Sequence, residues 1–86
     1  MKVLFHSHFI KKYSKLSKDI RAKADERLFL FETDTKNPIL NVHQLGGVWK
    51  DHWSINITGD LRAVFKFVTK DMVQFVEVDN HNNLYK

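Results

Sequence analysis

The chain has no cysteine among its 86 residues, which excludes disulfide staples and thiolate-bound zinc as sources of stability. The same absence fits a reducing cytoplasm, the expected location. Glycine is scarce, at three residues, and none belongs to a phosphate-cradling loop, a dinucleotide fingerprint or a Gly-x-Ser-x-Gly nucleophile turn. No apolar run approaches the roughly 18 residues that span a membrane. The opening MKVLFHSHF is too short in apolar residues to read as a signal peptide. Linkers, repeats and low-complexity stretches are missing as well. One domain over residues 1–86 is therefore expected, near the lower size limit for unaided folding. Neither a membrane nor a small-molecule cofactor is expected as a partner.

What is present is apolar enough for one modest core, with seven Phe, two Tyr and two Trp. Fourteen Lys/Arg against ten Asp/Glu leave a net charge of +4. That balance favours an anionic partner, either nucleic acid or an acidic protein segment. Ten of the fourteen bases lie on the helical half (Lys11, Lys12, Lys15, Lys18, Arg21, Lys23, Arg27) or on the sheet (Lys50, Arg62, Lys66). Basic groups thus fall on both structural layers.

KVLFH (2–6) is a short β-prone run. Ser7 is placed to cap a helix with Phe9, Ile10, Tyr13 and Leu16 on one face and Lys11, Lys12 and Lys15 in solvent. Ser17 is placed to cap a second helix, with Asp19 in its first turn and a stripe of Ile20, Ala24, Leu28 and Phe31. DTKNP (34–38) ends it, because the residue before proline is pushed out of the helical region. After Gly46-Gly47, HWSINIT (52–58) alternates as a strand, followed by LRAVFKFV (61–68) and MVQFVEV (72–78). Turns this short require antiparallel pairing. The expected fold is α+β, in the order β-α-α-β-β-β: a short strand, a helical hairpin and a three-stranded antiparallel meander. One sheet face packs on the helices and the other stays open.

Side-chain parity places Leu61, Ala63, Phe65 and Phe67 on the packed face, leaving Arg62, Val64 and Lys66 on the open one. His52, Ser54 and Asn56 share that open face, and Asp60 sits at the Gly59-Asp60 turn beside Arg62. On the last strand Val73 and Phe75 compete in parity with Val76 and Val78. If Glu77 faces outward, it can neutralise Arg62. A basic, aromatic-bearing sheet face beside His81 suits RNA, although polar groups on a solvated face and a plain surface ion pair have the same appearance. A metal is not expected. His6 and His8 are spaced i, i+2 across a strand-to-helix junction, and the remaining His, Asp and Glu show no ligand spacing.

The segment NPILNVHQLGGVWKDHWSINITGDLRAVFKF followed by FVEVDNHNNLYK resembles the RelE/ParE superfamily of bacterial toxins, in its YafQ-like branch of ribosome-dependent mRNA endonucleases. The shared features are Asn-Pro, a His-x-Leu-x-Gly turn, Trp-Lys, a Gly-Asp-x-Arg hairpin and a terminal His-x-x-Leu-Tyr, spread over residues 37–86. The resemblance implies that His81 acts on the scissile phosphate, with Tyr85 beside the substrate. His43 matches the histidine of the turn, Asp60 the hairpin aspartate and Arg62 a phosphate-binding arginine. Asn56, Lys50 and Lys66 are the further residues expected along the substrate. It also implies a cognate antitoxin, the ribosome and mRNA as partners. Asn56 stands where the YafQ pattern has a histidine, Glu77 where it has an arginine and Leu61 where it has a tryptophan.

The chemistry follows from RNA itself. The 2′-hydroxyl is the nucleophile, so cleavage needs a base for its proton, an acid for the leaving 5′ oxygen and a cation for the charge that builds on phosphorus. A histidine pKa near 6.5 permits either proton role. His81 with Asp60 or His43 would supply the proton transfers, and Arg62 the cation. Two other readings share the fold: a ParE-like gyrase poison without nuclease activity, against which His43, His81 and Tyr85 weigh together, and a binding module whose site has decayed, which Asn56 and Glu77 keep open.

Overall fold

The computed structural model describes residues 1–85. A five-stranded mixed sheet in the order β1-β5-β4-β3-β2 carries two helices on one face. The strands are β1 (Lys2–Phe5), β2 (His43–Gln44), β3 (Trp53–Asn56), β4 (Leu61–Thr69) and β5 (Met72–Asn80). The helices are α1 (Ser7–Ser14), α2 (Lys18–Thr33) and a terminal single turn, α3 (His81–Leu84). The meander β3-β4-β5 is antiparallel as expected, and β1 closes the sheet by pairing parallel to β5. Such pairing requires a crossover, which α1 and α2 begin.

Ser17 caps α2 by accepting the Ile20 amide, 3.3 Å. The α1 cap differs from expectation. His6, not Ser7, precedes the helix, and its Nδ1 accepts the His8 amide at 3.0 Å. Ala24, Leu28 and Phe31 bury the stripe of α2 against Ile55, Ala63, Phe65, Val73, Phe75 and Val78. Phe31 meets Phe65 at 4.9 Å and Phe75 at 5.5 Å between ring centres, and each such pair contributes about 0.5–1.5 kcal/mol beyond area burial. Ile10, expected on the packed face of α1, is exposed.

The competition on β5 is resolved by a bulge. Val64 pairs with Glu77 and Phe65 with Phe75, so Val76 is the extra residue. An added residue flips side-chain parity, and Phe75 and Val78 both reach the core despite an odd separation. A second irregularity between Phe67 and Thr69 accompanies the loss of Phe67 from the core, where parity had placed it; it is 44% exposed.

The face expected to be open is partly roofed. Val64, Leu45 and Leu84 form a second buried cluster with Trp49 and Val76 against it. The chain reaches Leu45 through Asn41, which adopts a left-handed conformation (φ 48°) after the 3-10 turn Pro38–Leu40. Asparagine tolerates that region better than most residues.

Candidate active site

The β3–β4 turn is built by Thr58 and Arg62. Thr58 Oγ1 accepts the amides of Asp60 (3.3 Å) and Leu61 (3.0 Å). The Arg62 Nη1 donates to the carbonyls of Thr58 and Gly59, both at 3.1 Å. Glu77 does not neutralise Arg62, as it could have done from the open face. That carboxylate instead accepts from His8 Nε2 (2.9 Å) and pairs with Lys12 (3.3 Å). Among the described residues no carboxylate lies within ion-pair distance of Arg62, so its positive charge remains available to an anion.

The terminal histidine is brought to this turn through the backbone: the His81 amide donates to the Asp60 carbonyl at 3.0 Å. The His81 and Tyr85 rings lie 5.0 Å apart at 48°, and both residues are exposed. A four-residue helix has no stability of its own, so α3 depends on its anchors. Asn80 caps it by accepting the Asn83 amide, 2.8 Å. Leu84 is buried in the second cluster, and its carbonyl accepts the Trp49 indole N–H at 2.8 Å.

Asp79 completes the anchorage. Its Oδ1 accepts the Asn80 amide (2.7 Å) and Asn83 Nδ2 (3.0 Å), while Oδ2 accepts Lys12 Nζ at 2.7 Å. Burial pushes the Asp79 carboxyl up, but the bonds from Lys12, Asn83 and Asn80 outweigh it and hold the group below the usual carboxylate range. Lys12 is raised, chiefly by its bond to Asp79, against the lowering effect of burial. Lys12 is therefore not the freely solvated residue its helical position implied. Charge-assisted bonds of this kind are roughly twice as strong as neutral ones. Sequence reasoning missed this network; the Asn80-x-x-Asn83 spacing was its one legible trace, as a capping pattern.

The remaining candidates divide. His43 lies on the edge strand β2, in one cross-sheet row with Ser54, Val64 and Glu77. Its Nδ1–H donates to the Asn41 carbonyl at 2.8 Å, a pairing that assigns the tautomer and leaves Nε2 as an acceptor, 3.5 Å from Ser54 Oγ. Three strand spacings of about 4.8 Å separate the backbones of β2 and β5. The docking of Leu84 on Leu45 folds the tail back toward the β2 side. Lys50 is exposed beside Trp49, at the end of that tail. Lys66 is exposed on β4, four residues and so about 14 Å along the strand from Arg62; it is not gathered with the turn. Asn56 pairs with Arg62 in register but borders a cleft with Lys23 and Arg27 of α2. Among the described residues no three His, Asp or Glu side chains converge as a metal-ligand set.

No protein-family model matches the chain, and no curated protein matches it by sequence. Solved structures do. YafQ from E. coli superposes with a TM-score of 0.77 at 19% identity, over 99% of this chain and 98% of YafQ. The chain has the fold of YafQ. The YoeB/ParE toxin from Agrobacterium tumefaciens shares it at TM-score 0.73 and 15% identity, over 94% of this chain and 99% of that one. A chain of the E. coli DinJ–YafQ complex does so at TM-score 0.75 and 20% identity, over 99% and 98%. Within this fold, the His81–Leu84 helix touches both the roofed sheet face, through Leu84, and the Thr58–Arg62 turn, through the His81 amide.

Proposed function

We propose that the protein is the toxin of a type II toxin–antitoxin pair and that it cleaves translated mRNA on the ribosome. The observation that carries this reading is the 3.0 Å bond from the His81 amide to the Asp60 carbonyl, beside an Arg62 with no carboxylate partner among the described residues. That backbone bond brings residue 81 to the turn that carries Arg62, which supports a shared site for a proton-transfer group and a cation. In the reaction the 2′ oxygen attacks phosphorus, the bond to the 5′ oxygen breaks, and a cyclic phosphate and a 5′-hydroxyl result. His81 carries one proton transfer, with Asp60 or His43 as its complement. Arg62 stabilises the extra negative charge on phosphorus, and Tyr85, against the His81 ring, stacks on or orients the substrate. Lys50 and Lys66 are outlying substrate contacts, and Asn56 meets the RNA strand from the cleft beside the turn. Each proton-transfer group is worth about 10²–10⁴ in rate.

Few groups surround the scissile phosphate, so the in-line geometry of the 2′ oxygen must come from elsewhere. A ribosome that presents splayed mRNA meets that conformational cost. The neighbours solved with antitoxins, such as DinJ–YafQ, support a cognate antitoxin as partner, and the charge of +4 favours an acidic segment on it. The cytoplasm, where ribosomes and mRNA are, is the proposed location. Expression of His81→Ala tests the reading. His81 is exposed and contributes little packing, so the variant should fold normally and no longer arrest growth. A folded variant that arrests translation at full potency would remove His81 from the mechanism.

A further inference from the structure

Arg27 is unusual for a helix arginine in being 9% exposed. Its guanidinium is poorly partnered. Nη1 makes one long bond to the Ile39 carbonyl, 3.4 Å, and Nε stands 3.9 Å from the Glu26 carboxylate, beyond hydrogen-bonding distance. Nε has no hydrogen-bond partner among the described residues, and Glu26 is 64% exposed. A charge so withdrawn from water is costly unless it is paired. One turn earlier, Lys23 lines the same cleft of about 350 Å³, with Ile39, Asn56, Ile57, Thr58 and Gly59 as its other walls. None of these is acidic. Like charges at i, i+4 on a helix repel, so Lys23 and Arg27 together form a positive recess whose described walls carry no carboxylate and whose nearest one, the exposed Glu26, reaches only Arg27 Nε at 3.9 Å.

A third polar group, Asn56, selects the anion. Asn56 Oδ1 is buried and has no partner among the described residues, so it is free to accept from a donor. A carboxylate at neutral pH satisfies Lys23 and Arg27 but offers nothing to Asn56. A phosphate group does both, through its own P–OH in the free ion or through the neighbouring ribose 2′-hydroxyl in RNA. We propose that this cleft is a phosphate-binding subsite, reached from the Thr58–Gly59 side of the turn and separate from the surface that carries His81. Only the RNA source of the phosphate rests on the nuclease reading; the subsite itself does not. An anion entering the cleft draws the guanidinium N–H groups toward it, and an RNA strand crossing the Thr58–Arg62 turn would place one phosphate here and another at Arg62.

The Arg27 Nε–H resonance of the full-length protein reports occupancy directly. Titration with inorganic phosphate should shift it saturably, whereas acetate at equal ionic strength should bind several-fold more weakly. Lys23→Gln, on a partly exposed position that tolerates change, should weaken phosphate binding several-fold. Arg27→Gln, if it folds, should abolish it. A short single-stranded oligoribonucleotide should move the same resonance. For that ligand, Lys23→Gln should lower the slope of log affinity against log salt by about 0.7, the value of one phosphate contact on a single strand. A shift with phosphate alone assigns the subsite to free phosphate, and a shift with both extends it to the strand. Using His81→Ala as the titrated protein separates this test from catalysis, because binding there should be unchanged. No movement of Arg27 Nε–H with either ligand, or equal responses to phosphate and acetate, would overturn the proposal.

Discussion

Truncating Leu84 to alanine isolates what holds His81 in place. Leu84 is 5% exposed and packs with Leu45, Val64, Trp49 and Val76. A buried Leu→Ala change costs about 2–5 kcal/mol. Because α3 is a terminal turn, the tail can undock rather than leave a cavity, so the low end, about 2–3 kcal/mol, applies. That shifts the ratio of docked to undocked tail by about 30- to 150-fold. Undocking breaks the Trp49 indole bond to the Leu84 carbonyl and exposes the Asn83 amide held by Asn80. Hydrogen exchange by NMR reads both, with the Phe65 amide in mid-β4 as a global reference. In Leu84→Ala the Trp49 indole and Asn83 amide should exchange tens of times faster, with a much smaller change at Phe65. On the proposed nuclease reading, activity should fall to the extent that the docked fraction does. If the indole and Asn83 keep their wild-type protection relative to Phe65, the terminal turn does not depend on this cluster and the anchoring argument fails.

Acid should act through Asp79. Its native pKa is depressed, so its ionised form stabilises the fold above the ordinary value of about 3.9, and that contribution is lost as pH falls through the lower native pKa. Asp79→Asn should therefore melt below wild type at pH 7, with the gap closing in melts taken below about pH 4; a gap of constant size across that range would refute the assignment. Chelation should leave catalysis intact, since the described residues gather no ligand set. Cleavage should persist after EDTA treatment and return to the magnesium buffer the ribosome needs. Stoichiometric zinc carried through purification, with activity lost on its removal, would contradict this.

The parts of the fold legible in the sequence were those governed by local chemistry. Ser17 followed by the Ile20-Ala24-Leu28-Phe31 spacing located α2, and Gly59-Asp60 located a hairpin between two β-prone runs. Bulges are set by the sheet as a whole, and the one at Val76 defeated a parity argument on β5. Val64 counted as an open-face residue until Leu45 and Leu84, distant in sequence, covered it. Lys12 fell on a helix face that looked solvated, and only tertiary packing withdrew it. As for the candidate site, His81, Asp60 and Arg62 were singled out by a motif resemblance, and no periodicity could have shown that the His81 amide bonds to the Asp60 carbonyl. The helix that carries His81 was invisible for the same reason: four residues do not hold a helix without the surface they dock on.

Cleavage in phase with translation is the most direct measurement of the central claim. Two copies of one transcript, one with a functional ribosome-binding site and one without, would be incubated with ribosomes and the purified protein at matched concentration, and their 5′ ends mapped by primer extension. The account predicts cuts at a fixed phase of the reading frame on the translated copy, none with His81→Ala, and little or no cutting of the untranslated copy. Equal cleavage of both copies would show that the site is complete without the ribosome, and no cleavage of either by a folded wild-type protein would contradict the nuclease reading itself.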